Sequence, residues 1–213
     1  MDSDFSNHIE KILKQELPGA RSHIKMIPPG RDLDVKKDDK SRVRYSSVLF
    51  LLFPYKGEIY TCLTKRNSAM KNHPGQISFP GGKIEEGESP ELTALREAEE
   101  EVGISPDKVK ILGRLSELYV HVSKFSISPY VGWVDEKPEF ILNKDEAEKL
   151  ILFPIQEFAK NPKLAHMELE TVTGSLVVPY YPFEGEVVWG ATAMIIAEFF
   201  DLLTENATNT SSG

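Results

Sequence analysis

The chain has 213 residues with 25 basic and 33 acidic side chains, which give a formal net charge of −8. This length suits one domain with a sizeable core, and the acidic balance offers no basic face for nucleic acid. Cys62 is the only cysteine, which excludes an intramolecular disulfide and a cysteine-based zinc site. The longest apolar run, Val48 to Phe53, falls far short of the roughly 18 residues that span a membrane. Because the acidic start also lacks a signal-peptide pattern, we expect a cytoplasmic protein without a membrane partner.

The N-terminal region is predicted to be a short amphipathic helix followed by a loop. Apolar residues at helical spacing (Phe5, Ile9, Ile12 and Leu13) precede Pro18-Gly19, where the helix is expected to end. The polar stretch 21–44 predicts a surface loop, so residues 1–40 are assigned to a helix and loop packed on the domain. Two strands follow at 45–53 and 58–65, joined by a turn at Tyr55-Lys56-Gly57.

The clearest helix of the chain is predicted between 90 and 102. Ser89 is a typical N-cap, Pro90 suits the first helical position, and Gly103 suits the position just after the helix. Apolar residues at three- and four-residue spacing give this helix a face that can pack on a core. They are Leu92, Ala94, Leu95, Ala98 and Val102.

The rest of the chain alternates between strands and helices, which indicates an α/β fold. Strands are predicted at 109–118, 125–135 and 151–153, and a short helix at 154–160. A hairpin is predicted from 176–181 and 186–189, and the dense apolar segment 193–203 predicts a buried helix. The main domain is assigned to 41–204, and the polar residues 205–213 are predicted to form a disordered tail.

Acidic residues are concentrated in and before the helix predicted at 90–102. Residues 85–101 hold eight acids and one base. Glu97, Glu100 and Glu101 are three and four positions apart, a spacing at which like charges cost a few tenths of a kcal/mol per pair. They also lie toward the helix C-terminus, where the helix dipole disfavours anions. The pattern indicates a compensating cation, and carboxylate oxygens suit Mg²⁺ or Mn²⁺. The alternative is a solvated acidic face.

The wider pattern resembles the Nudix box at every specified position. It consists of Gly82, five residues, Glu88, seven residues, and Arg96-Glu97-Ala98-x-Glu100-Glu101-x-Gly103-Ile104. The resemblance implies an α/β/α sandwich with a mixed β-sheet. It also implies hydrolysis of a diphosphate linked to another group.

The same resemblance suggests roles for individual residues. Glu97, Glu100 and Glu101 would be metal ligands, joined by a backbone carbonyl near Gly82. Arg96 would orient the glutamates by ion pairing, and Glu88 would hold the loop against the helix. The catalytic base would be Glu97 or Glu101, or it would come from a later loop, where Glu146 and Glu148 are the candidates.

The residues before the box resemble the extra signature of the coenzyme A pyrophosphatase branch of this family. The similar stretch runs from Leu63-Thr64-Lys65-Arg66 to Phe79-Pro80-Gly81-Gly82, with Asn67 in place of Ser or Ala and Lys71 in place of Arg. This implies that coenzyme A is cleaved to 3′,5′-ADP and 4′-phosphopantetheine. Lys65, Arg66 and Lys71 are expected to bind its phosphates, and Ser123 and Phe125 to line its nucleotide or pantetheine pocket.

Other interpretations of the sequence remain open. The same metal site would serve a pyrophosphatase for ADP-ribose, dinucleotides or other nucleoside diphosphate derivatives. A non-catalytic binding module with a Nudix fold is less favoured, because all the box acids are present. The sequence does not distinguish free from acylated coenzyme A, and it leaves a homodimer open.

Overall fold

The computed structural model describes residues 2–29, 43–70, 74–171 and 174–210. The helices in these ranges are α1 (Asp2–Ile12), α2 (Ala20–His23), α3 (Pro90–Val102), α4 (Ile155–Lys160) and α5 (Gly190–Thr210). The strands are β1 (Arg44–Tyr55), β2 (Glu58–Arg66), β3 (Ile77–Ser78), β4 (Gly81–Lys83), β5 (Lys110–Arg114), β6 (Leu118–Val120), β7 (Phe125–Trp133), β8 (Ala147–Phe153), β9 (Ala165–Thr171), β10 (Gly174–Phe183) and β11 (Glu186–Trp189).

Strand β1 lies inside an eight-stranded sheet and is buried on both faces. Leu49 and Leu51 belong to the core beneath α3, whereas Phe50 and Leu52 belong to the core beneath α1 and α5. The Phe50 ring lies 4.6 Å, centroid to centroid, from that of Phe199 in α5. Burial on both faces explains why β1 is continuously apolar. The predicted helix–sheet–helix sandwich is confirmed.

The sheet is mixed, as the resemblance implied. Strands β1 and β7 pair in parallel over Arg44–Leu52 and Phe125–Trp133. All the other pairs in this sheet are antiparallel, in the order β3-β2-β1-β7-β5, with β4 beside β1, β6 beside β7 and β8 beside β2. The predicted turn between β1 and β2 is confirmed, with positive φ at Lys56 and Gly57.

A second sheet has the order β11-β10-β9 and contains the predicted hairpin of β10 and β11. The sequence did not predict β9, whose side chains alternate between half-buried and exposed positions. Helix α5 extends to Thr210, so the first six residues of the predicted disordered tail are helical. The side chains of Thr204 and Asn206 donate to the carbonyl oxygens of Phe200 and Leu202, which ties both side chains to the preceding turn of the helix.

The segment after α1 is not wholly the surface loop that the sequence predicted. Helix α2 and the 3₁₀ turn Ile24–Met26 place Ser22, His23 and Met26 in the interior. The reason is Glu198 of α5, a fully buried carboxylate. It accepts from the backbone amides of Gly19 and Ser116 at 3.2 and 3.1 Å and lies 2.9 Å from His23 Nε2. Burial alone would raise the pKa of Glu198, but the contacts with His23 and Ser116 hold it below its ordinary value.

We expect Glu198→Ala to destabilise the fold by about 3–5 kcal/mol, because it leaves two backbone amides and His23 buried without their acceptor. Urea unfolding of the metal-free protein measures this loss. Glu205→Ala is the matched control, since Glu205 pairs with Arg21 of the same N-terminal segment but is 43 % exposed, where ion pairs are worth about 0–1 kcal/mol. Equal losses in the two variants would contradict the role of Glu198.

Candidate active site

Helix α3 begins and ends at the predicted residues. The Ser89 hydroxyl accepts from the amide of Leu92 at 3.2 Å, Pro90 is the first helical residue, and Gly103 has φ of 74°. Ala94, Ala98 and Val102 pack on the apolar face of β1. The residues at its two ends fix the length of the helix. The packing of its apolar residues on β1 fixes which face is turned away from the core.

Strand β4 brings Gly82 directly beneath the side chain of Glu97. Gly82 pairs with Ser47 of β1, which fixes its position in the sheet. A Cβ atom at Gly82 would overlap the Glu97 carboxylate. A glycine is therefore required here by lack of space, and the Glu97 side chain is 15 % exposed as a result. Burial raises the pKa of Glu97, the contact with Arg96 lowers it, and the charges of Glu100 and Glu146 raise it, with a net shift upward.

Arg96 connects the loop before α3 to the glutamates on it. Its guanidinium contacts Glu88 at 2.9 Å, Glu97 at 2.8 Å and Glu100 at 3.2 Å. Glu88 also accepts from Thr93 Oγ1 at 2.6 Å, and the pairing with Arg96 lowers the pKa of Glu88 to about 2. These contacts tie the loop to the helix and fix the orientation of Glu97.

Glu101 is the most buried acid of the group, at 3 % exposed. Its Oε2 lies 3.4 Å from the hydroxyl of Thr64 in β2. Burial raises the pKa of Glu101 to about 8; Arg66 opposes this shift, and the charges of Glu146 and Glu97 add to it. A carboxylate held in such surroundings is stabilised by a cation.

Glu100 is set apart from the other two predicted ligands. It lies four residues after Arg96, which pairs with it, and its side chain is 53 % exposed. Among the described residues, no three acidic, histidine or cysteine side chains converge closely enough to hold an ion as they stand. The donor set nevertheless fits Mg²⁺ or Mn²⁺, because Glu97 and Glu101 are neighbouring carboxylates whose pKa values are raised by burial, and the backbone of Gly82 lies directly against the Glu97 carboxylate. An exposed ion pair such as that of Glu100 costs little to break.

The structure separates the two later candidates for the base. Glu146 borders the site, because Asn143 is bonded to both its carboxylate and the carbonyl oxygen of Glu101, and the charge of Glu146 raises the pKa of Glu97 and of Glu101. Glu148 is the extra residue of a β-bulge where β8 pairs with β2. It accepts from the amide and hydroxyl of Ser68 at 3.2 and 2.7 Å and lies 3.4 Å from Lys65 Nζ.

Lys65 and Arg66 point to opposite faces of β2. Leu63 belongs to the core beneath α5 and Cys62 to the core beneath α3, so alternation along the strand puts Arg66 on the α3 face and Lys65 on the other. The charge of Arg66 accordingly lowers the pKa of Glu101, whereas Lys65 forms ion pairs with Glu148 and Glu186. The two side chains cannot together form the single basic patch expected from the sequence.

The remaining predicted substrate residues do not gather around the glutamates in the described contacts. The Phe125 ring lies under the Arg44 guanidinium at 4.2 Å, and the Ser123 carbonyl accepts from Arg44. Arg44 in turn borders an open groove of about 620 Å³ that runs along the box loop past Lys83 and Glu85. Lys71 lies outside the described residues.

Three polar residues near the site were not among the site residues predicted from the sequence. Thr64 contacts Glu101, while Asn67 and Asn143 bond the segment that carries Glu146. Thr64 and Asn67 lie within the coenzyme A signature, so their position in that motif was an available signal. Asn143 stands in no motif, and its role depends on a tertiary contact.

The raised pKa of Glu101 predicts how the stability of the metal-free protein depends on pH. The folded protein binds this proton more tightly than the unfolded chain, whose ordinary value is 4.5. The stabilisation of the folded protein by this proton is therefore fully present below about pH 4.5. It is lost as the pH rises to about 8, at roughly 1 kcal/mol of unfolding free energy per pH unit. Urea unfolding of wild type and Glu101→Gln between pH 5 and pH 8, in EDTA, measures the difference. If the unfolding free energies of the two proteins changed in parallel with pH, the raised pKa of Glu101 would be contradicted.

Comparison with known proteins identifies the family. The sequence model of the NUDIX domain matches residues 43–172. Nudix hydrolase 3 of Caenorhabditis elegans is 33 % identical over 125 residues, covering 57 % of this chain and 52 % of that protein. Nudix hydrolase 15, mitochondrial, of Arabidopsis thaliana is 31 % identical over 169 residues, covering 76 % and 59 %. The uncharacterized Nudix hydrolase NudL of Pectobacterium atrosepticum is 36 % identical over 135 residues, covering 63 % and 70 %. The chain belongs to the Nudix family, although it spans only 52 % and 59 % of the first two relatives.

Solved structures agree with the fold. A Nudix hydrolase from M. smegmatis, RenU, has a TM-score of 0.50 with 13 % identity and covers 80 % of this chain and 88 % of its own. A MutT/nudix family protein from Enterococcus faecalis has a TM-score of 0.50 with 16 % identity, covering 96 % of this chain and 75 % of its own.

Within the described residues, no helix has the length and apolar character needed to cross a membrane.

Proposed function

We propose that this protein is a divalent-metal-dependent hydrolase that cleaves the diphosphate of coenzyme A or an acyl-coenzyme A into 3′,5′-ADP and 4′-phosphopantetheine. The observation that carries the proposal is that Arg66, from the coenzyme A signature, lies on the same face of β2 as Thr64, which contacts the box carboxylate Glu101, and that the charge of Arg66 lowers the pKa of Glu101. A guanidinium offers a planar fork of donors to phosphate oxygens. A diphosphate placed here would be bound by Arg66 on one side and by a cation on the carboxylates on the other.

Glu97 and Glu101 would hold Mg²⁺ or Mn²⁺ with the carbonyl of Gly82, and Glu100 would join them by leaving its exposed pair with Arg96. The bound ion supplies neutralisation of the diphosphate charge and a more acidic water. Arg96 keeps Glu97 oriented through its contact at 2.8 Å. Glu146 is our choice as the base, because Glu97 and Glu101 are used as ligands and Glu148 is paired with Lys65, whose side chain lies on the face of β2 away from Glu101.

A pyrophosphatase for ADP-ribose or dinucleotides is the second candidate. It uses the same carboxylates and the same arginine, and it is favoured by the departures from the coenzyme A signature at Asn67 and Lys71. Lysine keeps the charge but loses the planar fork, which weakens a bidentate hold on phosphate. The two candidates differ in substrate, so direct assay separates them.

The deciding experiment incubates purified protein and Mg²⁺ or Mn²⁺ with coenzyme A, acetyl-coenzyme A, ADP-ribose and NADH in parallel, followed by product identification by mass. We expect 3′,5′-ADP with 4′-phosphopantetheine, or its acyl form, to appear fastest. Faster release of AMP from ADP-ribose or NADH would favour the second candidate. No turnover of any of these substrates with either metal, while the protein is folded, would contradict both.

Arg66→Ala is expected to raise KM by about 10- to 100-fold, because a hydrogen bond to a charged group is worth about 1.5–3 kcal/mol. The position of Arg66 on the Glu101 side of β2 favours contact with the diphosphate over the 3′-phosphate. The KM values for coenzyme A and dephospho-coenzyme A should therefore rise by the same factor. Arg66→Lys keeps the positive charge near Glu101, so its KM should rise by less. A loss confined to coenzyme A would instead place the 3′-phosphate at Arg66.

A further inference from the structure

A short segment before β8, residues 143–146, is bonded to the C-terminal end of α3. We call it the Glu146 segment. The amide of Asn143 donates to the carbonyl oxygen of Glu101 at 2.9 Å, and its side-chain Nδ2 donates to Glu146 Oε1 at 3.1 Å. Asn143 Oδ1 accepts from the amide of Asp145 at 3.2 Å, which fixes the side-chain orientation. One residue thus joins the Glu146 carboxylate to the helix turn that carries Glu101.

Asn67 holds the same segment from the other side. Its backbone amide donates to the carbonyl oxygen of Glu146 at 2.9 Å, and its Nδ2 donates to that of Lys144 at 2.9 Å. Its Oδ1 accepts from the amide of Ala69 at 2.9 Å. Neither Ser nor Ala, the residues that the coenzyme A signature has here, offers an amide donor and a carbonyl acceptor together. The departure at Asn67 therefore has a structural consequence specific to this chain.

We propose that Asn67 and Asn143 are positioning residues that hold the Glu146 carboxylate toward Glu97 and Glu101, where it takes the proton of the attacking water. This inference rests on the proposed function. In the step, the water O–H bond breaks and its proton passes to Glu146. The water oxygen bonds to phosphorus, and the phosphorus–oxygen bond to the leaving phosphate breaks. The placement follows from geometry, because Asn143 is bonded both to the carbonyl oxygen of Glu101 and to the Glu146 carboxylate, and Asn67 is bonded to the carbonyl oxygen of Glu146.

The surroundings of the segment explain why two anchors are needed. Glu146 faces two other acids, and like charges in one site repel each other, so an unrestrained carboxylate would turn away toward solvent. Asn143 is a neutral donor, so it fixes Glu146 without neutralising it. A displacement of about 1 Å in a catalytic group can cost about 10²-fold in rate.

Asn143→Asp tests the proposal, because Asp keeps the acceptor for the Asp145 amide but loses the donor to Glu146. We expect kcat to fall by about 10- to 100-fold with KM within about twofold. In a Glu146→Gln background the same change should cost nothing further, because Asn143 acts through the Glu146 carboxylate. Asn161→Asp, an equal change in charge at an exposed residue after α4, is the matched control. The same loss in both backgrounds would overturn the proposal.

Hydrogen–deuterium exchange of the metal-free protein gives a readout independent of turnover. Asn143→Ala and Asn67→Ala should speed exchange of the amides of 143–147 by about tenfold or more, while those of α5 stay unchanged. Unchanged exchange of 143–147 in both variants would overturn the anchoring. Coenzyme A hydrolysis by the wild type tests the proposed function separately. If another diphosphate is the substrate, the kcat comparison is made on it.

Discussion

Glu101→Gln is expected to reduce turnover by roughly 10²-fold or more while making the metal-free fold more stable. The activity loss follows because a metal ligand or positioned carboxylate is worth about that much. The gain in stability follows because Glu101 is 3 % exposed and its pKa is raised to about 8, so its charged form is disfavoured in the folded protein. A neutral amide of the same size removes that cost. Opposite effects on activity and stability are typical of a functional carboxylate.

The measurements are initial rates at saturating Mg²⁺ and urea unfolding in EDTA at pH 8. Glu99→Gln is the matched control, since Glu99 lies on the same helix and is exposed. Glu97→Gln should lose as much activity as Glu101→Gln, and Glu100→Gln should lose less because its side chain stands apart at the Arg96 pair. Near-wild-type turnover in both Glu97→Gln and Glu101→Gln would exclude the proposed metal site.

Local signals predicted the elements that are stabilised locally. The caps of α3 and the turn at Lys56 and Gly57 depend on neighbours in sequence, and their positions were right. Strand β9 and the interior position of His23 depend on distant partners. Glu198 lies in a segment whose dense apolar pattern predicts a buried helix, and nothing in that pattern shows which distant segment will satisfy its charge.

In the candidate site, too, the sequence predicted the features that depend on local residues and missed those that depend on tertiary contacts. The box specified which glutamates to consider, but helical spacing alone could not show that Arg96 would pair with both Glu97 and Glu100 while Glu101 is buried in the interior. Adjacent residues in a strand face opposite sides, and this alternation along β2 is by itself enough to separate Lys65 from Arg66. The choice between Glu146 and Glu148 depends on a β-bulge, which has no reliable sequence signature.

Gly82→Ala is expected to abolish most activity without unfolding the protein. The added Cβ would overlap the carboxylate of Glu97, the mobile end of a long side chain, so the fold can adapt by moving that carboxylate. Turnover should fall by about 10²-fold, the effect expected when a catalytic group moves by about 1 Å. Unfolding stability should change by less than about 1 kcal/mol, in the range of ordinary surface substitutions.

Gly81→Ala provides the contrast, one residue earlier in β4. A Cβ there would overlap the carbonyl oxygen of Ser47 and lie 2.7 Å from Cα of Val48, so the backbone of β1 or β4 would have to shift. We expect this variant to lose stability, by about 1–3 kcal/mol for overpacking. In a Glu97→Gln background Gly82→Ala should cost no further activity, since both changes act on the same side chain. Additive losses would show that the added Cβ acts on a group other than the Glu97 carboxylate.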